Sequence, residues 1–215
     1  MLHIKTAACA AVALGAATAS AHAEDAGRWF VHLGPAYVDP AETASITMGG
    51  QPVAGGDVAI DGRWSVEGEV GYFVTRNIAV TLAGGYPPTF KIDAAGTLAG
   101  LGTTGKLVGG PAAITVQYRL NRGGRIQPYV STGAAFLIVF DTKDGLMSEL
   151  KAKSDVGPMV GGGFDVMVND RWGLFFDAKK AWVGTVATGF LGPNPVRAEV
   201  TVNPFVYNAG LSYHF

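Results

Sequence analysis

Three side chains near the ends of the chain have types that could do acid–base, nucleophilic or metal chemistry: Ser212, His214 and His32. Ser212 and His214 are two residues apart, so a β-strand would place them on one face, as a nucleophile and its base require. A catalytic triad also needs a carboxylate that orients the histidine, and none lies near them in the sequence. Two histidines without a carboxylate make a poor metal site. The sequence therefore predicts no catalytic residue, no metal site, no cofactor and no enzyme activity.

Two further features resemble reactive motifs but lack the surroundings that such motifs need. Residues 100–106 carry the glycines and the lysine of a phosphate-binding loop. Leu107, however, replaces the Ser or Thr that this loop requires, and no strand-to-helix unit is predicted around it. The single cysteine, Cys9, lies in the N-terminal segment. We interpret residues 100–106 as a surface loop and expect no thiol chemistry in the rest of the chain.

The first 23 residues have the composition of a secretory signal peptide. Lys5 lies in a short polar start, residues 6–19 are mostly small and apolar, and Ala21-His22-Ala23 has the small-x-small pattern of a cleavage site. We expect residues 1–23 to be cleaved and residues 24–215 to form one exported domain. Lys and Arg number 16 against 17 Asp and Glu, so no basic surface indicates a nucleic-acid partner.

The C-terminal segment alternates between two kinds of side chain up to the last residue. From Phe205 to Phe215 every second residue is apolar or aromatic, and the residues between them include Asn208, Ser212 and His214. Alternation over about ten residues is typical of a strand whose two faces meet different environments. The same pattern recurs along the chain, whereas no stretch after the N-terminal segment has the roughly 18 apolar residues of a membrane helix.

Short and long connections alternate between these predicted strands. The short ones are polar turns at 75–77, 121–125 and 169–171. The long ones are rich in Gly, Thr, Ala and Pro, and they lie at about 39–62, 92–108, 142–154 and 185–199. This alternation predicts an all-β fold, an eight-stranded antiparallel up-and-down transmembrane β-barrel with four long extracellular loops. We expect one or two helical turns within residues 143–153 of the third loop.

Charged residues occupy the strand faces that would point into this barrel. They are Glu67, Glu69, Arg119, Asp165, Asp177 and Lys179. Charges in a narrow lumen of low dielectric must be paired. We expect a salt-bridged plug that blocks direct passage to the periplasm, in preference to a path for protons or ions.

The predicted fifth strand is apolar on both faces. Residues 134–140 read Ala-Ala-Phe-Leu-Ile-Val-Phe, so an apolar face must point inwards, where water-filled pores are polar. Two interpretations are open: a pocket for an apolar solute, or ordinary packing of the interior. A pocket above a plug would need a sideways exit between strands. Tyr86-Pro87-Pro88 is our candidate for it, because proline cannot donate to the strand ladder.

Short motifs across nearly the whole exported domain resemble the OmpW/AlkL family of small outer-membrane barrels. They are Arg76-Asn77-Ile78-Ala79-Val80, Tyr86-Pro87-Pro88, Phe90-Lys91-Ile92, Gln117-Tyr118-Arg119, Pro128-Tyr129-Val130, Phe140-Asp141, Asn169-Asp170-Arg171-Trp172, Asn203-Pro204-Phe205-Val206 and the run from Ala209 to Phe215. The resemblance implies a narrow hydrophobic pocket open to the outside and passive uptake of small apolar molecules. Two departures fall near that pocket: Val108-Gly109-Gly110-Pro111 replaces a Leu-Pro-Pro-Thr run, and Val156 replaces a tryptophan that the family can carry.

The preferred function is passive uptake of small hydrophobic molecules across the bacterial outer membrane. The residues expected to form the pocket and its exit are Tyr86, Pro87, Pro88, Phe136, Leu137, Val139, Phe140 and Val156. The alternative is a structural or surface-interaction barrel with a packed lumen whose loops contact a host, a phage or a bacteriocin. Expected partners are outer-membrane lipid, lipopolysaccharide and the barrel-assembly machinery, for which Tyr213 and the terminal Phe215 resemble the recognition signal.

Overall fold

The computed structural model describes residues 27–215, which form fifteen β-strands joined by turns and short connections. The predicted signal peptide at 1–23 and Cys9 lie outside the described residues. No helix in the described part of the chain is long and apolar enough to cross a membrane.

Eight of the strands form one closed antiparallel ring. They are β1 (Trp29–Asp39), β5 (Arg63–Phe73), β6 (Ile78–Gly85), β8 (Thr103–Arg119), β9 (Ile126–Asp144), β11 (Asp155–Met167), β12 (Trp172–Ala181) and β15 (Phe205–His214). Each pairs with the next one along the chain, and β15 pairs back to β1 from Phe30↔His214 to Asp39↔Phe205. The prediction of an eight-stranded antiparallel barrel is confirmed.

The remaining seven strands lie beyond one end of the barrel. They are β2 (Thr43–Met48), β3 (Gln51–Pro52), β4 (Gly56–Ile60), β7 (Thr89–Gly96), β10 (Ser148–Ala152), β13 (Gly184–Leu191) and β14 (Asn194–Thr201). Strands β4 and β7 continue the barrel sheet beside β8, whereas β10, β13, β14, β2 and β3 form a separate five-stranded sheet. We call this the loop end of the molecule and the opposite end, which carries Gly27 and Phe215, the turn end.

The long segments predicted as loops are therefore largely β structure. Strands β8 and β9 remain paired up to Gly105↔Asp144, and residues 143–153 contain the end of β9 and all of β10 instead of helical turns. Leu150 explains the difference, because strand alternation turns its side chain into the interior, where it is buried, while its neighbours Glu149 and Lys151 are exposed.

The outer and inner faces of the barrel differ as the alternation predicts. Large apolar side chains such as Leu82, Ile114, Val130 and Leu174 are exposed on the outside. This is the surface that a transmembrane barrel presents to lipid. Aromatic rings gather at the turn end, where Trp172 and Tyr213 lie 4.6 Å apart between ring centroids.

Candidate functional site

The lumen at the turn end is closed by aromatic rings and one arginine. Phe30, Phe73 and Ala79 form a buried cluster that fills this part of the barrel. The guanidinium carbon of Arg119 lies 4.4 Å from the centroid of the Phe30 ring and 5.5 Å from that of Phe73. This is cation–π geometry, in which the ring faces stabilise a desolvated cation.

Asp165 is the centre of a buried polar cluster directly above these rings. Its Oδ2 accepts a hydrogen bond from Arg119 Nη1 at 2.6 Å and from Ser212 Oγ at 3.1 Å. His32 Nε2 lies 3.1 Å from Asp165 Oδ1, and His214 Nε2 lies 3.2 Å from Oδ2. The expectation that no carboxylate lies near Ser212 and the histidines was wrong, because β11 carries Asp165 across the lumen to them.

Lys179 is the centre of a second buried cluster. Its Nζ lies 2.9 Å from Glu67 Oε1, 3.2 Å from Glu69 Oε2 and 3.2 Å from Asp177 Oδ2. Asn208 Nδ2 donates to Asp177 at 2.8 Å and to Glu67 at 3.2 Å, so it holds two of these carboxylates together.

The two clusters are joined through His32, whose Nδ1 lies 3.4 Å from Glu69 Oε1. The structure thus brings all six charged residues predicted for the lumen into one connected network. The predicted plug left out six polar members of this network. His32, Ser212 and His214 were considered only for catalysis or metal binding, and Gln117, Tyr129 and Asn208 were given no role. Strand alternation could have assigned these residues to the lumen, because they lie on the inward faces of their strands. Within residues 27–215 no group of three or more His, Cys, Asp or Glu has the arrangement of a metal site.

A ring of small side chains lies directly above the charged network. Ala83, Ala113, Ala135 and Ala181 are buried together with Met159. Alanine leaves more space inside a narrow barrel than the aromatic rings of the turn end do. The lumen therefore widens at this level into a cavity.

The cavity holds about 130 Å³ and extends towards the loop end. Its floor includes Glu67 and Lys179, and its walls are almost entirely apolar. Representative wall residues are Ile46, Phe90, Leu107, Leu150, Val196 and Val200. Asp57, the acidic wall residue at the loop end, is satisfied by the backbone, since its Oδ1 accepts from Ala44 N at 2.7 Å and Val58 N at 2.9 Å.

The predicted pocket residues separate into three groups in the structure. Phe136 and Leu137 line the cavity, and Val139 is partly buried against an adjoining apolar cluster. Tyr86, Phe140 and Val156 lie on the outer surface, where they are 76%, 55% and 57% exposed. Pro88 is buried and Pro87 half-buried in the wall of the barrel. Sequence reasoning missed wall residues such as Phe90 and Leu107. Leu107 lies within residues 92–108, which were interpreted as a loop, and Phe90 was noted only as part of a family motif.

The wall beside Pro87 and Pro88 has a gap in its hydrogen-bond ladder. Pairing of β6 with β8 ends at Gly84↔Ala112, and pairing of β7 with β8 begins at Thr89↔Val108. Between these pairs a single backbone hydrogen bond remains, from Gly109 N to Pro88 O at 3.2 Å. We call this opening the ladder gap.

The cavity reaches the ladder gap. Ala112 and Ala113 both line the cavity, and so do Ala135 and Phe136. Gly110, which lies in the unpaired stretch of β8 facing Pro87 and Pro88, also lines the cavity. The cavity therefore borders the wall at the level of the ladder gap.

Comparison with known proteins gives relatives over most of the chain. Outer membrane protein AlkL of Ectopseudomonas oleovorans is 31% identical over 94% of this chain and 92% of its own length. The dibenzothiophene metabolism operon protein PahQ of Pseudomonas aeruginosa is 28% identical over 87% of this chain and 88% of its own. The crystal structure of the outer membrane protein OprG from Pseudomonas aeruginosa superimposes with a TM-score of 0.82 at 25% identity, covering 89% of this chain and 97% of OprG.

The similarity to these relatives covers the strands that build both the charged network and the cavity, and AlkL and OprG are outer membrane proteins. A sequence profile of the OmpW family matches residues 25–215, which include every described residue. The chain is an outer-membrane β-barrel and belongs to the OmpW family.

Proposed function

We propose that this barrel lets small hydrophobic molecules cross the outer membrane passively, entering at the loop end and leaving through the ladder gap. The observation that carries the proposal is an apolar cavity that ends on a closed, charged lower lumen. The loop end is assigned to the extracellular side in this proposal. A solute that enters there meets walls of Val, Leu, Ile, Phe and Met side chains.

The apolar wall favours solutes without polar groups. A polar solute would lose its hydrogen bonds to water in the cavity and find few new partners, which costs a few kcal/mol for each unsatisfied group. An apolar solute loses no such bonds and gains contact area, roughly 25 cal/mol for each Å² removed from water. The kinship with a protein named for a dibenzothiophene metabolism operon supports an apolar solute.

The charged network below the cavity serves as a plug in this proposal. Its charges are buried and paired over short distances, as ions in a low-dielectric lumen must be. Rings of Phe30 and Phe73 fill the space beneath it. A molecule in the cavity therefore has a shorter and more apolar route through the ladder gap into the lipid.

An enzymatic role is not part of the proposal. Ser212 Oγ donates to Asp165, and His214 Nε2 contacts the same carboxylate at 3.2 Å. A serine nucleophile needs a histidine that accepts its proton, with the carboxylate on the far side of the histidine ring. Here the serine and the histidine both contact one carboxylate, so we assign these groups to the plug.

The direct test is uptake of an apolar fluorescent dye such as N-phenylnaphthylamine by cells with and without the protein. We expect faster uptake with the barrel present, and unchanged uptake of a sugar of similar size. Equal dye uptake by both strains, with normal amounts of folded barrel, would favour the alternative of a surface-interaction barrel.

A disulfide across the ladder gap tests the exit itself. A Cβ built on Gly110 would lie 3.6 Å from Pro87 Cα, which suits a cross-link between Pro87→Cys and Gly110→Cys. We expect the oxidised double variant to take up dye no faster than cells lacking the protein, and reductant to restore uptake. Each single-cysteine variant should be insensitive to oxidation. Normal uptake by the oxidised double variant would place the exit elsewhere.

A further inference from the structure

Three lysines stand side by side on the outer surface of the loop end. Lys91 on β7 pairs with Lys106 on β8, and Lys106 pairs with Lys143 on β9. Directly paired residues project from the same face of a sheet with Cβ atoms about 5 Å apart. Their neighbours Phe90 and Leu107 turn into the cavity, so the lysines face outwards. We call these three residues the lysine row.

The lysine row carries more positive charge than its surroundings neutralise. Lys91 Nζ has a partner in Asp93 Oδ2 at 3.3 Å. Across residues 27–215 no carboxylate oxygen lies within 4.0 Å of the ammonium nitrogen of Lys106 or Lys143. Two acids lie close to Lys143 on β9, and both accept backbone hydrogen bonds. Asp144 accepts from Glu149 N at 3.0 Å and from Leu150 N at 2.9 Å, and Asp141 accepts from Thr142 N at 2.9 Å.

Like charges directly opposite each other destabilise a sheet. Two adjacent pairs of lysines therefore oppose the pairing of β7, β8 and β9 unless an anion lies between them. An ammonium group binds phosphate as a compact point charge, and a row of three can contact one phosphate group or two. The chemistry of the row thus fits a phosphorylated ligand.

The position of the row indicates where that phosphate comes from. Lys91 is three residues beyond Pro88, and Lys106 is three residues from Gly109 on the neighbouring strand. At about 3.3 Å per residue, the row lies about 10 Å above the ladder gap along these strands. The proposed function places the ladder gap in the outer part of the hydrocarbon region. A wall residue at this height then meets lipid headgroups, because the polar layer on each side of a bilayer is roughly 5–8 Å thick.

We propose that the lysine row binds the phosphate groups of a lipopolysaccharide molecule in the outer leaflet. A lipid held by its phosphates at the row has acyl chains that run down the barrel wall and across the ladder gap. The apolar cavity then opens onto the acyl chains of a bound lipid. This assignment rests on the proposed function for the orientation of the barrel and the depth of the ladder gap, and it holds whatever the cavity carries.

Binding of purified lipid A tests the proposal. The full-length barrel is reconstituted in phosphatidylcholine nanodiscs, and its affinity for bisphosphorylated lipid A is measured by native mass spectrometry at low ionic strength. Each lysine near an anionic lipid surface contributes about 1 kcal/mol. We therefore expect Lys106→Gln/Lys143→Gln to weaken lipid A binding roughly 30-fold.

The matched control is Lys151→Gln/Lys153→Gln, which removes the same charge from exposed lysines at the loop end outside the row. This control should bind as the wild type does, and lipid A without phosphates should bind equally to all three proteins. Circular dichroism confirms that each variant is folded. The proposal is overturned by unchanged lipid A binding in the row variant, or by an equal loss in the control. Displacement of lipid A by the same concentration of inorganic phosphate would also overturn it, because the row would then be a site for small anions.

Discussion

Two buried residues organise the polar side chains that fill the lower lumen. Asp165 and Lys179 each gather partners from several strands, and none of the groups involved is exposed to bulk water. A buried ion pair repays its desolvation only when its geometry and hydrogen bonds are good. Lys179, with three carboxylate oxygens within 3.2 Å, satisfies this condition better than a simple pair would.

Removal of the Lys179 charge should therefore destabilise the barrel strongly. Lys179→Met leaves Glu67, Glu69 and Asp177 facing one another without a cation, and loss of one member of a buried pair typically costs about 3–5 kcal/mol. The control is Lys180→Met, the next residue. Its Nζ contacts the backbone oxygen of Asn203 and lies 4.0 Å from the centroid of the Phe205 ring. Urea unfolding in detergent should show a loss of about 1 kcal/mol for this control. Equal losses for both variants would contradict a special role of the lumen charge.

Residue partners in the lumen are the part that sequence predicts least well. The polar faces of the strands are evident from alternation, and they assign Asp165, Asp177 and Lys179 to the interior. Which of them meet depends on strand register and on the tilt of strands around the barrel. His32 and Asp165 are 133 residues apart in sequence, and no local pattern indicates their 3.1 Å contact.

At the scale of strands, the sequence prediction was right for the eight barrel strands and wrong for the strands at the loop end. Polar turns such as 169–171 separate strongly alternating segments, so the eight barrel strands were recognisable from the sequence. The loop-end strands were not, because Gly, Thr and Ala are common in both loops and small strands. The β13–β14 hairpin illustrates this, since its turn uses Gly192 with φ of 58° between two well-paired strands.

The barrel closes where its first strand, β1, pairs with its last strand, β15, and this seam depends on glycines. A Cβ on Gly210 would collide with the backbone of Leu33 and Gly34, whereas a Cβ on Gly68 would meet its nearest atom at 3.8 Å. Gly210→Ala should therefore force β1 and β15 apart and lower stability by about 1–3 kcal/mol, as overpacking does. The shift of the folded band on unheated gels, together with urea unfolding, measures this closure. Gly68→Ala, the control, should be close to wild type. A Gly210→Ala barrel as stable as this control would show that the seam can adjust.

Along its axis the molecule has two halves, a packed half at the turn end and a half at the loop end that holds the cavity. Outward aromatic rings at the turn end lie where a membrane interface attracts them. The plug and the rings beneath it make this half a packed barrel, whereas the loop-end half holds the cavity and the ladder gap. Changes at the turn end should accordingly alter assembly, and changes at the loop end should alter transport.

The terminal residue provides a test of this division. Phe215 N donates to Trp29 O at 3.0 Å, and its ring lies 4.9 Å from that of Tyr213 in an edge-on arrangement. The side chain is 57% exposed and far from the cavity wall, so it contributes apolar surface at the turn end and none to the solute path. We expect Phe215→Ser to reduce the amount of folded barrel in outer-membrane fractions several-fold.

Dye uptake per folded molecule should remain unchanged in Phe215→Ser cells. Phe140→Ser is the matched control for assembly, because it makes the same chemical change on a ring that is 55% exposed at the loop end. If recognition of the C-terminal aromatic residue governs insertion, the level of the Phe140→Ser protein should stay near wild type. Equal losses for both variants would mean that assembly responds to apolar surface in general. A fall in uptake per Phe215→Ser molecule would instead link the turn end to transport, and the division of the barrel into two halves would not hold.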